Sequence, residues 1–365
     1  MAFNKNQHFV PRVHLNPFTV DAKGDAINLY NLARGMVVHD APAKNQCSRD
    51  YFYGEDPKLE DAIQTLEGAY GQCLRALIEN QSSLSKLQDA IFRRFTYFQY
   101  LRTESAAKAI VSFVTEIATT KGSDIEIPPI RESIRHAVLG AMRYFSDTMR
   151  LVDDLELCIV RNETGTPFVT SDNPAVLTNK WHLYNARTKH LSYGMPNAGV
   201  ILILPLTPKL LAIFYDRDIY SIKCSDRTLI LRQESDALAC NQLQVINCRC
   251  NLYFGDLAGE TAATQAVESA LKSRPSSPFS IARLIPTGEC ETHTYYQIVE
   301  NPDIREHENV LVHVQSARPC PPLWPSFLQY RSRKSALYSG SRLGYWREYS
   351  TNYVPNTAQW RKVRF

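Results

Sequence analysis

The chain has 365 residues, a net charge of +4 at pH 7, 44% hydrophobic residues and 21% charged residues. This apolar share can form a core and excludes a wholly disordered chain. No apolar run approaches the roughly 18 residues of a membrane span, since the best candidate, residues 198–204, stops at Pro205. Nine scattered cysteines favour a reducing compartment, and the start lacks a secretory pattern. We therefore expect a soluble, cytoplasmic protein without a membrane partner.

The N-terminal segment combines apolar and imidazole groups between two prolines. Pro11 fits the first position of a helix and Pro17 closes the segment, which predicts one short helical turn. His8 would precede the N-terminus of this turn, where free backbone N–H groups attract an anion, and Arg12 would lie one turn away. Residues 26–32 follow as a predicted strand.

Three long helices are predicted next. Apolar residues recur at helical spacing over residues 59–77, 89–119 and 130–153, and Asp56-Pro57 is a start signal for the first helix. Glu60, Gln64 and Glu67 share one face of that first helix.

The pattern then changes to short apolar runs separated by turn residues. Strands are predicted for residues 155–160, 167–170, 200–206, 210–215, 281–285, 294–299 and 310–314, with helices over 234–247 and 261–271. Because strands and helices do not alternate regularly, the predicted fold class is α+β. We expect a helical layer packed on a mixed sheet, which would contain the N-terminal strand and the strands after residue 155. The linker-like residues 272–278 suggest a core domain over residues 1–272 and an extension over residues 273–365.

The extension ends in a basic, aromatic segment. Residues 331–365 contain eight basic residues and one acidic residue, so they carry a net charge of +7 and leave the rest of the chain at −3. Aromatic residues interleaved with cations provide phosphate contacts and base stacking. The predicted nucleic-acid-binding residues are Arg331, Arg333, Lys334, Arg342, Trp346 and Arg347. The alternative is an ordered segment whose aromatic rings pack on the body while its arginines stay solvated.

A polar sequence, Thr170-Ser171-Asp172-Asn173-Pro174, directly follows one of the predicted strands. Asp and Asn side chains bond to nearby backbone groups, and proline favours an extended residue before it. This predicts a sharp exit from strand to loop that presents Asp172 at the strand end. Two interpretations stay open: the turn is purely structural, or it places Asp172 in a functional site.

Several of these blocks together resemble a bacterial family called domain of unknown function 4238 (DUF4238). Residues 7–18 are similar to its His-aromatic-Val-Pro opening, and residues 27–30, 51–53, 99–103, 168–174 and 204–208 resemble later blocks in order, over about residues 6–255. Asn241 stands where the last helix of the family has an asparagine. Glu104 replaces the usual proline after Arg-Thr, and the chain beyond about residue 280 resembles no block. The resemblance implies a common site without implying a reaction.

We combine the polar residues of these blocks into one candidate catalytic set. Its members are His8, Arg12, Glu60, Glu67, Gln99, Arg102, Asp172 and Asn173. The histidine would act as general base or acid, the arginines would stabilise an anionic transition state, and the carboxylates would orient the histidine or hold a divalent cation. This chemistry predicts a hydrolase for a phosphodiester or nucleotide, namely a nuclease-like effector of bacterial conflict or phage defence.

The alternative to an enzyme is a binding module. His8 and Arg102 would then be buried donors with Glu60 or Glu67 as their acceptor, and the cluster would lock the N-terminal segment onto the helices. Such a module would bind nucleic acid or protein. The sequence contains no phosphate-binding glycine loop, no Gly-x-Ser-x-Gly and no His-Glu-x-x-His. The substrate, the use of a metal and the oligomeric state stay open.

Overall fold

Long helices between residues 57 and 148 form one layer of the molecule. The computed structural model describes residues 5–80, 84–120, 128–188, 191, 193–277, 279–290, 293–299, 310–317, 319–340, 344–353 and 359–365. Its helices are α1 (Arg12–Leu15), α2 (Pro57–Asn80), α3 (Lys86–Leu101), α4 (Glu104–Thr120), α5 (Ile130–Thr148), α6 (Lys180–Tyr184), α7 (Glu234–Asn247) and α8 (Leu257–Ala270).

Strands occur before this helical layer and throughout the chain after it. They are β1 (Asn6–His8), β2 (Ala26–Asn31), β3 (Met36–Pro42), β4 (Ser48–Asp50), β5 (Glu156–Asn162), β6 (Thr170–Ser171), β7 (Val176–Thr178), β8 (Ile201–Thr207), β9 (Leu210–Tyr215), β10 (Tyr220–Ser221), β11 (Thr228–Leu231), β12 (Asn251–Phe254), β13 (Phe279–Cys290), β14 (His293–Val299), β15 (Leu311–Ser316), β16 (Gln329–Tyr330), β17 (Ser335–Tyr338), β18 (Tyr345–Trp346) and β19 (Arg361–Arg364).

The central sheet has the strand order β11-β5-β9-β8-β7 and is mixed, because β11 pairs with β5 in parallel while the other neighbours are antiparallel. Its two faces are both buried. Leu157 and Ile159 pack with Tyr70 of α2 and Phe95 of α3, whereas the alternate residues of β5 belong to a second core on the other face. Two buried faces explain why these strands are continuous apolar runs. The predicted α+β class is confirmed.

A second, antiparallel sheet contains the N-terminal strand. Its order is β3-β2-β12-β6, and α8 packs on it through buried alanines. The prediction that the N-terminal strand pairs with strands after residue 155 is confirmed, since β2 pairs with β12. The structure divides these strands between separate sheets, however, so β2 is not part of the central mixed sheet.

The helix predicted over residues 89–119 is two helices, α3 and α4. The break falls at Arg102-Thr103, where Thr103 Oγ1 accepts the N–H of Ala106 at 3.2 Å and so caps α4. The same hydroxyl donates to Asn173 Oδ1 at 2.8 Å. The apolar stripe continues across the break and contains no Gly or Pro, so periodicity alone merges the two helices.

The C-terminal extension packs on the body of the protein. β16 pairs with β10, and β17 forms a three-stranded sheet with β18 and β19. Leu328, Ala336 and Tyr345 are buried in the second core, and the Phe365 ring contacts Trp181 edge-on at 5.0 Å. The described part of the extension is therefore an ordered element, while the domain boundary at residue 272 stays a prediction.

Among the described residues, no helix combines the length and the apolar composition needed to cross a bilayer.

Arg347 anchors the C-terminal extension to the body of the protein. Its side chain is 2% exposed, and it donates to Asp154 Oδ2 at 2.9 Å, to the Leu151 carbonyl at 2.6 Å and to the Met195 carbonyl. Arg347→Ala should lower the free energy of unfolding by about 3 kcal/mol, because these acceptors lose a buried charged donor.

Arg333→Ala is the matched control, since Arg333 lies exposed in the same extension and should change stability by less than about 0.5 kcal/mol. Urea denaturation followed by tryptophan fluorescence measures both. Equal stability of the two variants would contradict a docked extension.

Candidate functional site

A cleft of about 430 Å³ lies between the N-terminal segment, residues 6–18, and one face of α2. We call it the N-terminal cleft. One wall consists of Gln7, His8, Pro11, Arg12 and Val13, and the other of the α2 residues Glu60, Gln64, Glu67, Gly68, Gly71, Gln72 and Arg75. The spacing of the α2 residues places them on a single helix face. α2 begins as the sequence predicts, with Asp56 Oδ1 accepting the N–H of Lys58 at 2.9 Å.

The N-terminal segment is fixed in place by backbone pairing and by one amide side chain. β1 pairs with β4, so that His8 lies opposite Ser48. Gln7 Nε2 donates to the Gly54 carbonyl at 2.9 Å and its Oε1 accepts the N–H of Tyr53 at 2.6 Å. Gly71 lets the segment approach α2, since a Cβ there would lie 2.8 Å from Val13 Cγ2.

Arg102 and Gln99 lie beneath the cleft rather than in it. Arg102 is fully buried and donates through Nε to the Phe9 carbonyl at 3.0 Å and through Nη1 to Glu67 Oε1 at 2.6 Å. Its Nη2 also reaches the His8 carbonyl at 3.4 Å. Gln99 Nε2 donates to the Phe9 carbonyl at 2.9 Å. Both side chains thus position the backbone that carries His8.

His8 is half-buried at the cleft, with Nε2 3.2 Å from the Lys44 carbonyl oxygen. A carbonyl only accepts, so the neutral ring carries its proton on Nε2 and keeps the lone pair on Nδ1. Burial lowers the pKa of His8, and Arg12 lowers it further, against an opposing contribution from the Lys44 carbonyl. His8 is therefore a neutral base at pH 7.

The cationic residues of the cleft are Arg12 and Arg75. Arg12 is exposed and donates to the Gly24 carbonyl at 3.3 Å, and Arg75 is exposed on α2. Within the residues that the structure describes, neither guanidinium pairs with a carboxylate. Glu60, at the other end of this helix face, accepts from Gln64 Nε2 at 3.3 Å. The cleft thus contains two exposed guanidinium groups that an anion can contact.

Asp172 and Asn173 lie elsewhere, at the strand-to-loop exit after β6. Asp172 is 8% exposed and accepts the N–H groups of Arg249 at 2.8 Å and Cys250 at 2.7 Å. Burial raises the pKa of Asp172, although these backbone donors oppose the rise. Asn173 Nδ2 donates to the Asn247 carbonyl at 3.0 Å. These two side chains fasten the loop between α7 and β12, and neither lines the N-terminal cleft.

The structure therefore divides the candidate catalytic set into three groups. His8, Arg12, Glu60 and Glu67 line the cleft, Gln99 and Arg102 lie beneath it, and Asp172 and Asn173 anchor the loop between α7 and β12. Their catalytic assignment stays a prediction.

Sequence reasoning missed Gln7, Tyr53, Gln64 and Arg75 as cleft residues. Extending the helical spacing from Glu60 along α2 would have found Arg75. The contact of His8 with the Lys44 carbonyl has no signal in the sequence.

The predicted nucleic-acid-binding residues of the extension have different environments. Arg331 and Arg333 are exposed, and Lys334 Nζ lies 5.6 Å from the Tyr330 ring centre. Trp346 is half-buried, and Arg342 lies outside the described residues. Arg347 is 3% exposed and fully engaged in the interior, so it offers no group to a phosphate.

In the described part of the chain, no group of three or more His, Cys, Asp and Glu side chains is arranged to hold a metal ion.

A family model described as a protein of unknown function (DUF4238) matches residues 6–257, and the chain belongs to this family. No curated protein and no solved structure matches the chain. The match contains both walls of the N-terminal cleft, together with Gln99 and Arg102 beneath it.

His14, on the inner side of the N-terminal segment, gives a testable dependence of stability on pH. It is fully buried, with Nδ1 2.9 Å from Tyr70 Oη and Nε2 3.2 Å from Thr170 Oγ1, and burial lowers its pKa to about 3 from 6.5. Because the folded-state pKa is depressed, the unfolded state binds more protons as pH falls below about 6.5. As the pH falls from about 6.5 to about 3, protonation of His14 in the unfolded state should lower the free energy of unfolding by roughly 1.4 kcal/mol per pH unit.

His14→Gln keeps hydrogen-bonding capacity but cannot titrate in this range. Its stability deficit relative to the wild type should therefore shrink by roughly 1.4 kcal/mol between about pH 6 and pH 5. Urea denaturation of both proteins at each pH measures the deficit. A deficit that does not change with pH would contradict the buried, neutral state of His14.

Proposed function

We propose that this chain, a member of the DUF4238 family, is a hydrolase that acts on a phosphodiester or nucleotide bound in the N-terminal cleft. The observation that carries the proposal is the position of His8, a neutral base with a fixed tautomer, in a cleft with two arginines, neither of which forms an ion pair with a carboxylate among the described residues. A base near a site for an anion is the combination that phosphoester hydrolysis requires.

The reaction that we propose uses the side chains of the cleft. His8 Nδ1 takes a proton from water while the water oxygen forms a bond to phosphorus. The bond from phosphorus to the leaving oxygen breaks, and the imidazolium returns the proton to that oxygen. Arg12 and Arg75 would bind the non-bridging oxygens and stabilise their charge.

The size of the cleft favours a small substrate unit. Its volume of about 430 Å³ lies within the roughly 300–1,000 Å³ that is usual for small-molecule sites. This volume suits one nucleotide, either free or at an accessible position of a single strand. A nuclease-like effector of bacterial conflict or phage defence is the biological role that we propose for such an activity.

A cytoplasmic location is consistent with this role. Five of the nine cysteines are buried in the structure as free thiols. Free thiols persist in reducing compartments, which supports the cytoplasm as the proposed location.

A second candidate function is a binding module without catalysis, and one observation favours it. Arg102 and Gln99 direct their donors to the backbone of His8 and Phe9, as expected for a cluster that only holds the N-terminal segment. Such a module would bind nucleic acid or protein. It differs from the enzyme in that it requires no free base at His8.

His8→Ala tests the proposal. We expect the hydrolysis rate of a chromogenic phosphodiester or of ATP to fall roughly 10²–10⁴-fold, since a general base contributes that much. The melting temperature should change little, because the bonds to Arg102 and Tyr53 use the His8 carbonyl rather than its ring. His39→Ala is the matched control, since His39 has a 59% exposed side chain and does not line the cleft.

The pH profile gives a second measurement. Because the pKa of His8 lies below 6.5, the wild-type rate should rise with pH in the acidic range and be level at neutral pH. Full activity of His8→Ala, or a rate that still rises through neutral pH, would reject the assignment of His8 as base.

A further inference from the structure

The small C-terminal sheet formed by β17, β18 and β19 has two chemically different faces. Directly paired residues in antiparallel strands point to the same side, so the register defines the faces. The inner face carries Ala336 opposite Val363 and Tyr338 opposite Tyr345, and these residues pack into the second core. The other side, which we call the outer face, carries Leu337, Trp346, Lys362 and Arg364.

The outer face presents a pair of indole rings. Trp360, which directly precedes β19, lies against Trp346 with the ring centres 5.3 Å apart and the planes tilted by 42°. Both tryptophans are half-buried rather than enclosed in the core. Large aromatic side chains usually bury themselves when a core can accept them, as Tyr345 does on the inner face.

Two cations share the outer face with these rings. Lys362 and Arg364 are both exposed, and Lys362 Nζ pairs with Glu348 Oε2 at 2.8 Å. Glu348 is the one acidic residue among residues 331–365, which carry a net charge of +7 against −3 in the rest of the chain. The outer face thus presents two exposed cations, of which Lys362 is paired with Glu348, in a segment whose sequence charge is opposite in sign to that of the rest of the chain. This charge is complementary to a polyanion.

We propose that the outer face binds single-stranded nucleic acid, with a base stacked on Trp360 and phosphates bound by Arg364 and Lys362. An aromatic ring and cations on one face of a sheet provide both kinds of contact that a single strand needs. A duplex hides the faces of its bases, and an acidic membrane or protein surface requires the cations without requiring the indole pair. This surface is separate from the N-terminal cleft and does not depend on hydrolysis there.

The test measures binding of a fluorescent oligothymidylate of about 12 nucleotides to the full chain by anisotropy over a range of salt concentrations. The measurements use the His8→Ala background, so that cleavage cannot remove the probe. Trp360→Ala should weaken binding at least about fivefold, the loss of one stacked base, while the salt dependence stays unchanged. Trp360→Phe should restore most of the affinity, because phenylalanine still stacks.

The charge contribution is measured separately. Arg364→Ala should weaken binding and reduce the slope of log affinity against log salt by about 0.7, the value for one phosphate contact on a single strand. Arg143→Ala, which removes an exposed arginine from α5, is the matched control and should bind like the parent. Near-ultraviolet circular dichroism verifies that each variant is folded.

Three results would overturn the proposal. The first is an affinity that Trp360→Ala and Arg364→Ala leave unchanged. The second is equal binding of a duplex of the same length, which would show that bases are not stacked. The third is binding to phosphatidylserine vesicles that needs Arg364 but not Trp360, without oligothymidylate binding, which would assign the surface to a membrane.

Discussion

The arrangement of the molecule around the cleft depends on a single buried charge. The guanidinium of Arg102 is removed from water, and its compensation comes from the Glu67 carboxylate and from two carbonyls of the N-terminal segment. A buried charge without partners is unstable by several kcal/mol, so these partners are fixed relative to one another. The constraint joins α2, the end of α3 and β1, and it requires α3 to stop where Arg102 can turn inward. This constraint therefore sets the relative positions of the two walls of the cleft.

Local patterns in the sequence predict much of the fold. α7 begins and ends at the predicted residues 234 and 247, and the apolar runs of β8 and β9 were recognised because both faces of their sheet are buried. Two features are not encoded locally. The pairing of β2 with β12 joins residues far apart in the chain, and the break before α4 depends on the Thr103 hydroxyl rather than on Gly or Pro.

The candidate site was also predictable only where its residues follow a local sequence pattern. The N-terminal motif and the helical spacing of Glu60 and Glu67 lead to the cleft, since both are periodic or contiguous signals. Asp172 follows a strand, as catalytic carboxylates often do, but a carboxylate that binds backbone N–H groups has the same sequence pattern. In the extension, composition alone did not distinguish the buried Arg347 from exposed arginines, because an arginine that caps carbonyls and one that binds phosphate look alike in sequence.

The docked extension has a consequence for how the chain folds during synthesis. Ribosomes produce β5, β8 and β9 well before Tyr345 and Arg347, and domains of a nascent chain begin folding as they emerge. Until the later residues appear, one face of the central sheet lacks Ala336, Tyr345 and Leu328, which belong to its core. The nascent protein therefore exposes an apolar surface during this interval, which a chaperone can bind. A chain terminated early, although it contains every residue of the cleft, would be expected to aggregate.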